Sequence, residues 1–170
     1  MASTHEAHRR AAEEMGSIPI AVLTVSDTRT EATDVSGRYL SEAVRSAGHE
    51  LSHRDIVADE PIRITELVEG IVGDGAAVVL INGGTGISRR DRTFEAVDRL
   101  LERRIPGFGE LFRMLSWEEV GPAAMLSRAT AGIYRGALVV SMPGSPAAVR
   151  LAWERLLAPE LRHLVREMIR

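Results

Sequence analysis

The stretch Ala76–Gly86, AAVVLINGGTG, decides the fold. Its first half, Ala76 to Ile81, is the longest unbroken apolar run in the chain. The run is too short to cross a bilayer, and its length and composition suit a strand buried on both faces of a parallel sheet. Asn82-Gly83-Gly84-Thr85-Gly86 then ends the strand. A helix is expected from about Thr93 to Arg103, with Val97, Leu100 and Leu101 on one side. Strand, glycine turn and helix in succession are the repeating unit of an α/β protein.

The same alternation extends outward. Upstream, the β-branched run Ile20 to Val25 reads as the first strand and leads into Ser26-Asp27-Thr28-Arg29. Val35, Tyr39, Leu40, Ala43, Val44 and Ala47 recur at helical spacing, with Asp34 placed as N-cap and Gly48 as the stop. Glu50 to Val57 is a polar-leaning strand that belongs nearer an edge. Pro61 opens a helix whose Ile64, Leu67, Val68, Ile71 and Val72 share a face, closed by Gly73 and Gly75. Downstream, Ile105 to Ser127 is less regular, and Pro106-Gly107-Phe108-Gly109 reads as a turn followed by short helices. Ala131 to Met142, interrupted at Tyr134-Arg135-Gly136, is a bent strand or a hairpin. Two C-terminal helical segments follow, broken at Pro159.

These signals imply an α/β fold, a three-layer α/β/α sandwich around a mostly parallel sheet. Residues 1–16 are expected to form a tail and 17–170 a single domain. Parallel strands end on one side, and open α/β sheets bind ligands there. Four turns should therefore meet at one rim: Ser26–Arg29, Ala58–Glu60, Asn82–Asp91 and Pro143–Pro146.

Composition narrows the chemistry. The chain has no cysteine and no lysine, so all 21 basic residues are arginine. That excludes thiolate catalysis, Schiff-base chemistry and the P-loop lysine. Anions must be held by arginine, backbone N–H groups or a metal ion. Aromatic residues make up 4%, which leaves no stacking stripe for single-stranded nucleic acid. No apolar stretch spans a membrane, and Met1 to Met15 lacks a signal-like core, so the expected location is the cytoplasm. The five histidines lack metal-ligand spacing.

At the expected rim, Gly83, Gly84, Thr85 and Gly86 let the backbone approach a ligand and turn N–H groups toward an anion. Ser88, Arg89 and Arg90 add a hydroxyl and charge. The same glycines would also serve a tight turn needing only positive φ. Asp59 and Asp91 each stand where a helix cap would, yet both should also face the rim. Carboxylates beside a phosphate cradle suit a Mg²⁺ ion shared with substrate phosphates. Arg113 and Arg128 are expected in solvent unless tertiary contacts bring them to the rim.

Taken together, Thr24 to Arg29, Asp34 to Gly37, Asn82 to Gly86 with Arg90 to Thr93, Pro106 to Glu110, Leu126 to Ala129 and Pro143 to Pro146 resemble the molybdopterin adenylyltransferase family (MogA/MoaB type), more closely its MoaB branch. The resemblance covers nearly the whole chain from Ile18 and implies that family's fold. It implies transfer of the adenylyl group of MgATP to the terminal phosphate of molybdopterin, with release of pyrophosphate. A trimer or hexamer is implied as well, with other molybdenum-cofactor enzymes as partners. By motif, Asp59 and Asp91 match catalytic and Mg²⁺-positioning residues. Ser26, Asp27, Gly83, Gly84, Thr85, Gly86, Ser88, Glu110 and Ser145 match substrate-binding positions. The chain departs from the pattern at Asn82, Arg92, Phe94 and Ala147, the last replacing a frequent lysine. A molybdopterin-binding protein of the same fold without transferase activity is the competing expectation.

Overall fold

A computed structural model describes residues 15–169; all but the last two residues of the tail expected at 1–16 lie outside them. Aliphatic and β-branched runs form β1 (Pro19–Val25), β2 (Glu50–Val57), β3 (Val78–Asn82), β5 (Thr130–Tyr134) and β6 (Ala137–Met142), with the short β4 (Arg103–Arg104). They make one six-stranded sheet in the order β2-β1-β3-β6-β5-β4. The first four are mutually parallel, and the β5–β6 and β4–β5 pairs are antiparallel. β3 is buried at every position, as its apolar run Val78 to Ile81 requires, while β2 has no buried position and forms an edge.

The helices are α1 (Val35–Ser46), α2 (Pro61–Gly73), α3 (Thr93–Leu100), α4 (Pro106–Val120), α5 (Pro146–Leu151) and α6 (Ala158–Met168). Two apolar cores form on the two faces of the sheet. One unites Val22, Leu80 and Val140 with Leu40, Phe112, Val149 and Leu161, beneath α1, α4, α5 and α6. The other unites Leu23, Ile81 and Val139 with Ile64, Val68 and Val97, beneath α2 and α3. Alternating side chains of each central strand thus feed opposite layers, which is the expected three-layer sandwich.

Local signals act as anticipated at several boundaries. Asp34 caps α1 by accepting from the N–H of Gly37 at 2.8 Å. Pro61 stands at the start of α2, and Gly48 and Gly75 take positive φ just beyond α1 and α2. The interruption at Tyr134-Arg135-Gly136 is a hairpin turn: Arg135 and Gly136 have φ of 46° and 79°, the two-residue geometry that suits the strand twist.

Three expectations are corrected. Residues 106–109 are the first turn of a 15-residue helix. Pro106 supplies a favourable first position, and Phe108, Phe112 and Leu115 fall on one buried face, which outweighs the two glycines. The helix begun at Thr93 ends at Leu100, because Arg103 and Arg104 pair with Ile133 and Gly132 as β4. The C-terminal helix does not break at Pro159. Ala152–Leu157 widens into π geometry, and the helical path continues through the proline, which occupies the first turn of α6.

Candidate active site

The strand register fixes where the site lies. Thr24 pairs with Asn82 and Asn82 with Met142, while Val25 pairs with Val57. All four parallel strands therefore end in one layer, and their turns leave from the same edge. Behind this edge Asn82 donates to the Thr24 hydroxyl at 3.0 Å, and Thr24 donates to the Asp34 carboxylate at 2.9 Å. Arg54 adds a partner to Asp34 at 3.4 Å. The network locks the roots of three turns together. Asn82 Oδ1 is buried and has no hydrogen-bond partner.

Two glycines bring backbone against backbone. Gly83 has φ of 101°, and a Cβ there would lie 2.2 Å from the carbonyl oxygen of Val25. A Cβ on Gly144 would lie 3.0 Å from Gly83 Cα. Ser36 donates to the Gly144 carbonyl at 2.8 Å. Over this floor lies a recess of about 180 Å³ that includes Ser26, Arg29, Asp34, Ser36, Asn82 and Gly83 in its walls.

The aspartates stand beside the next part of the same loop. A Cβ on Gly84 would meet Asp59 Oδ2 at 2.6 Å, and one on Gly86 would meet Asp91 Oδ2 at 2.5 Å. Neither aspartate caps its own helix. Asp59 accepts from the N–H of Arg92 at 3.2 Å and from the Thr93 hydroxyl at 3.1 Å, so the turn after β2 is tied to the start of α3. Asp91 accepts from the N–H of Ser88 at 2.9 Å and folds the loop on itself. Asp27 accepts from the N–H of Asp59 at 3.1 Å and pairs with Arg90 at 2.9 Å. Burial raises the pKa of Asp59; the bonds from Arg92 and Thr93 oppose this, and the nearby charges of Asp91 and Asp27 add to it.

That surplus of negative charge is what a cation would relieve. Among the described residues no group of three or more His, Asp and Glu side chains is placed to hold a metal. The donor set still fits Mg²⁺, which commonly takes one or two carboxylates and completes its shell with phosphate and water.

The remaining candidates divide. Ser26 Oγ accepts from the N–H groups of Thr28 and Arg29 at 3.2 and 3.1 Å, organising its own turn. Ser145 caps α5, accepting from the N–H of Ala148 at 3.2 Å. Glu110, on α4, lines a different cavity of about 400 Å³ with Arg113, Ser127 and Arg128, to which none of Gly83–Gly86 contributes.

Arg128 is the residue that local sequence could not place. It donates to the carbonyls of Thr85 and Asp91 at 3.0 Å each, and also to the Gly86 carbonyl and the Glu95 carboxylate. Its guanidinium lies 5.1 Å from the centre of the Phe94 ring. The glycine loop is thus clamped from outside by a residue more than forty positions away. Burial works against ionisation of Glu95, yet the Arg128 bond holds its carboxyl below the usual range.

A parallel-sheet edge carrying a glycine loop, a recess and two carboxylates places this chain among open-sheet α/β proteins, whose ligand sites lie at the strand ends. The chain belongs to the family described as the probable molybdopterin binding domain, which matches residues 21–163. It is 50% identical over 151 residues to molybdenum cofactor biosynthesis protein B of Bacillus cereus, covering 88% of this chain and 89% of that one. A crystal structure of a molybdenum cofactor biosynthesis protein B superposes with a TM-score of 0.86 at 48% identity, covering 90% of this chain and 96% of the other. The tungsten cofactor synthesizing protein MoaB of Pyrococcus furiosus superposes with a TM-score of 0.83 at 37% identity, covering 91% and 98%.

Proposed function

We propose that this chain acts in molybdenum cofactor biosynthesis by transferring the adenylyl group of MgATP to the terminal phosphate of molybdopterin. The observation that carries the reading is the placement of Asp59 and Asp91 against Gly84 and Gly86, which sets two carboxylates beside a glycine loop of the kind that can turn N–H groups toward phosphate. Family membership and the relatives named for molybdenum cofactor biosynthesis support the pathway.

In the reaction a terminal phosphate oxygen of molybdopterin attacks the α-phosphorus of ATP. A new P–O–P anhydride forms, the bond from the α-phosphorus to the bridging oxygen breaks, and pyrophosphate leaves with the bonding electrons. The attacking oxygen is already ionised near neutral pH, so no strong general base is needed. The obstacle is charge. Two unit charges at about 4 Å repel by roughly 4 kcal/mol at an effective dielectric near 20. Bound Mg²⁺ would neutralise phosphate charge. Asp59 and Asp91 would fix its position, and the loop N–H groups would hold the reacting phosphates in line.

Ala147 leaves no lysine after the Pro143–Pro146 turn, and Arg150 one turn further along α5 is the nearest cation of that helix. It lies 5.2 Å from the centre of the Tyr39 ring, close to that turn but already in contact with an aromatic face. Self-association into a trimer, or a hexamer of two trimers, is part of the same reading. Leu111, Met114, Trp117 and Val120 repeat every three residues along the exposed side of α4, and Met125 and Leu126 extend the apolar patch. No described helix is long and apolar enough to cross a membrane.

Incubation with molybdopterin and MgATP tests the proposal, with adenylyl-molybdopterin and pyrophosphate as the expected products. Tight pterin binding without product would instead establish a binding protein of the same fold.

A further inference from the structure

A cavity lies beside the proposed reaction centre, with Asp91 in its wall. It has a volume of about 670 Å³ and runs between the start of α2 and one face of α3. Pro61 and Ile62 form one wall. Arg92, Ala96 and Arg99 form the other, spaced at i, i+4 and i+7, so they stack along a single helical face. By helix rise, Arg92 and Arg99 lie roughly 10 Å apart along the axis. Ser88, Arg89 and Asp91 close the end toward the loop.

The charge balance of this groove is unusual for a protein with a net charge of −3. Arg54, Arg63, Arg90, Arg104 and Arg128 all form ion pairs with carboxylates. Arg89, Arg92 and Arg99 form none among the described residues. Of the two carboxylates in the groove, Glu95 is taken by Arg128, although Arg92 also contributes to holding it ionised. Asp91 is bonded to the Ser88 N–H and faces the glycine loop. Three guanidinium groups therefore line a groove that opens from the carboxylate proposed to position Mg²⁺. Ala96, small and buried, leaves the floor between Arg92 and Arg99 clear.

We infer that the α2–α3 groove is a polyphosphate site, in which Arg89, Arg92 and Arg99 receive the β- and γ-phosphates of the nucleotide and the pyrophosphate they become. Planar, permanently charged guanidinium groups suit phosphate oxygens, and a groove lined lengthwise by them suits a linear polyanion better than a single compact one. The physiological ligand rests on the adenylyl-transfer reading; the anion chemistry of the groove does not. The arrangement also separates tasks. The glycine loop and aspartates hold the α-phosphorus, while the arginines draw the leaving group away along α3. Arg92 is one of the positions where this chain departs from the pattern it resembles.

Calorimetric titration of the full chain with inorganic tripolyphosphate, with and without Mg²⁺, tests the site directly. The wild type is expected to bind, and the double variant Arg92→Ala/Arg99→Ala to bind at least about a hundredfold more weakly, about tenfold for each charged contact removed. Arg63→Ala, which removes an exposed cation of α2 outside the groove, is expected to bind as the wild type does. All three arginines of the groove are exposed, so the melting temperature should not move; the Arg92→Lys/Arg99→Lys variant, which keeps the charge, should recover part of the affinity. Failure of the wild type to bind, or equal weakening by Arg63→Ala, overturns the inference. So does a double variant that turns over with the wild-type KM for ATP, and that result leaves adenylyl transfer standing. Tripolyphosphate binding that depends on the two arginines, without any adenylyl product, would keep the groove and reject the transferase.

Discussion

The Asp59 carboxylate accepts the Thr93 hydroxyl at 3.1 Å and thereby anchors the start of a helix that begins 34 residues later in the chain. The turn after β2 and the start of α3 are one structural unit, and the glycine loop is held between them. Asp59 consequently has two tasks, and Asp91 only one of comparable reach.

Substituting the two aspartates should separate these tasks. Asp91→Asn is expected to lower turnover by about a hundredfold or more, the scale of removing one preorganised electrostatic contact, with molybdopterin affinity nearly unchanged. Asp59→Ala should lose turnover and also cost about 1 kcal/mol of stability through the lost bonds from the Arg92 N–H and the Thr93 hydroxyl, seen as a fall of a few degrees in Tm. Steady-state kinetics with calorimetric unfolding checks both; an Asp91→Asn enzyme with wild-type kcat would remove the residue from the mechanism.

Gly84→Ala should be far more harmful than its size suggests. The new methyl would sit 1.9 Å from Thr93 Oγ1, at a φ of 61° that alanine rarely adopts. Gly107→Ala, on the first turn of α4 with nothing within 4 Å, should be neutral or stabilising by up to about 1 kcal/mol. Urea unfolding of the pair provides the comparison, and equal stabilities would contradict the packing described around Asp59.

Arg128→Lys should not rescue Arg128→Ala. A single ammonium cannot replace a planar fork that serves the carbonyls of Thr85, Gly86 and Asp91 together with Glu95. Both variants should lose about 1–3 kcal/mol and show faster amide exchange across residues 85–91. Unchanged exchange in that segment would mean the clamp is dispensable.

His49 should give stability a pH dependence. Burial, with Arg162 nearby, lowers its pKa below the ordinary 6.5, and its Nδ1 accepts the Ile18 N–H at 3.3 Å. The unfolded chain therefore binds a proton more readily than the folded one. The contribution is complete above about pH 6.5 and is lost as the pH falls from there through the folded pKa. His49→Gln should flatten that part of the stability profile; a profile identical to wild type would assign the slope elsewhere.

Trp117→Glu should disperse the proposed oligomer. Trp117 is 58% exposed at the middle of the apolar side of α4, where a carboxylate could not be buried without a partner. Light scattering after gel filtration should show a trimer or hexamer for the wild type and a monomer for the variant. An unaltered mass would place the interface on another face.

How much of this was legible beforehand depended on how local the deciding forces are. The buried strand at Val78–Asn82, the caps at Asp34 and Pro61, and the convergence of four turns follow from short-range patterns and parallel topology. The α4 helix was hidden because Gly107 and Gly109 look like a turn, and only the burial of Phe108, Phe112 and Leu115 outweighs them. The C-terminal path through Pro159 depends on π geometry that no residue announces. The bonds of Asp59 to Arg92 and Thr93, like the part Arg128 plays, rest wholly on contacts far along the chain.

The meeting of Gly83 with Gly144 carries a consequence for how such a protein can diversify. Where two main chains touch, no side chain is present to be exchanged, so point mutation has little purchase on the shape of that surface except to break it. A change in ligand preference would have to be written around the perimeter, in residues such as Ser26, Ser36 and the arginines of α3, while the bed beneath stays the same.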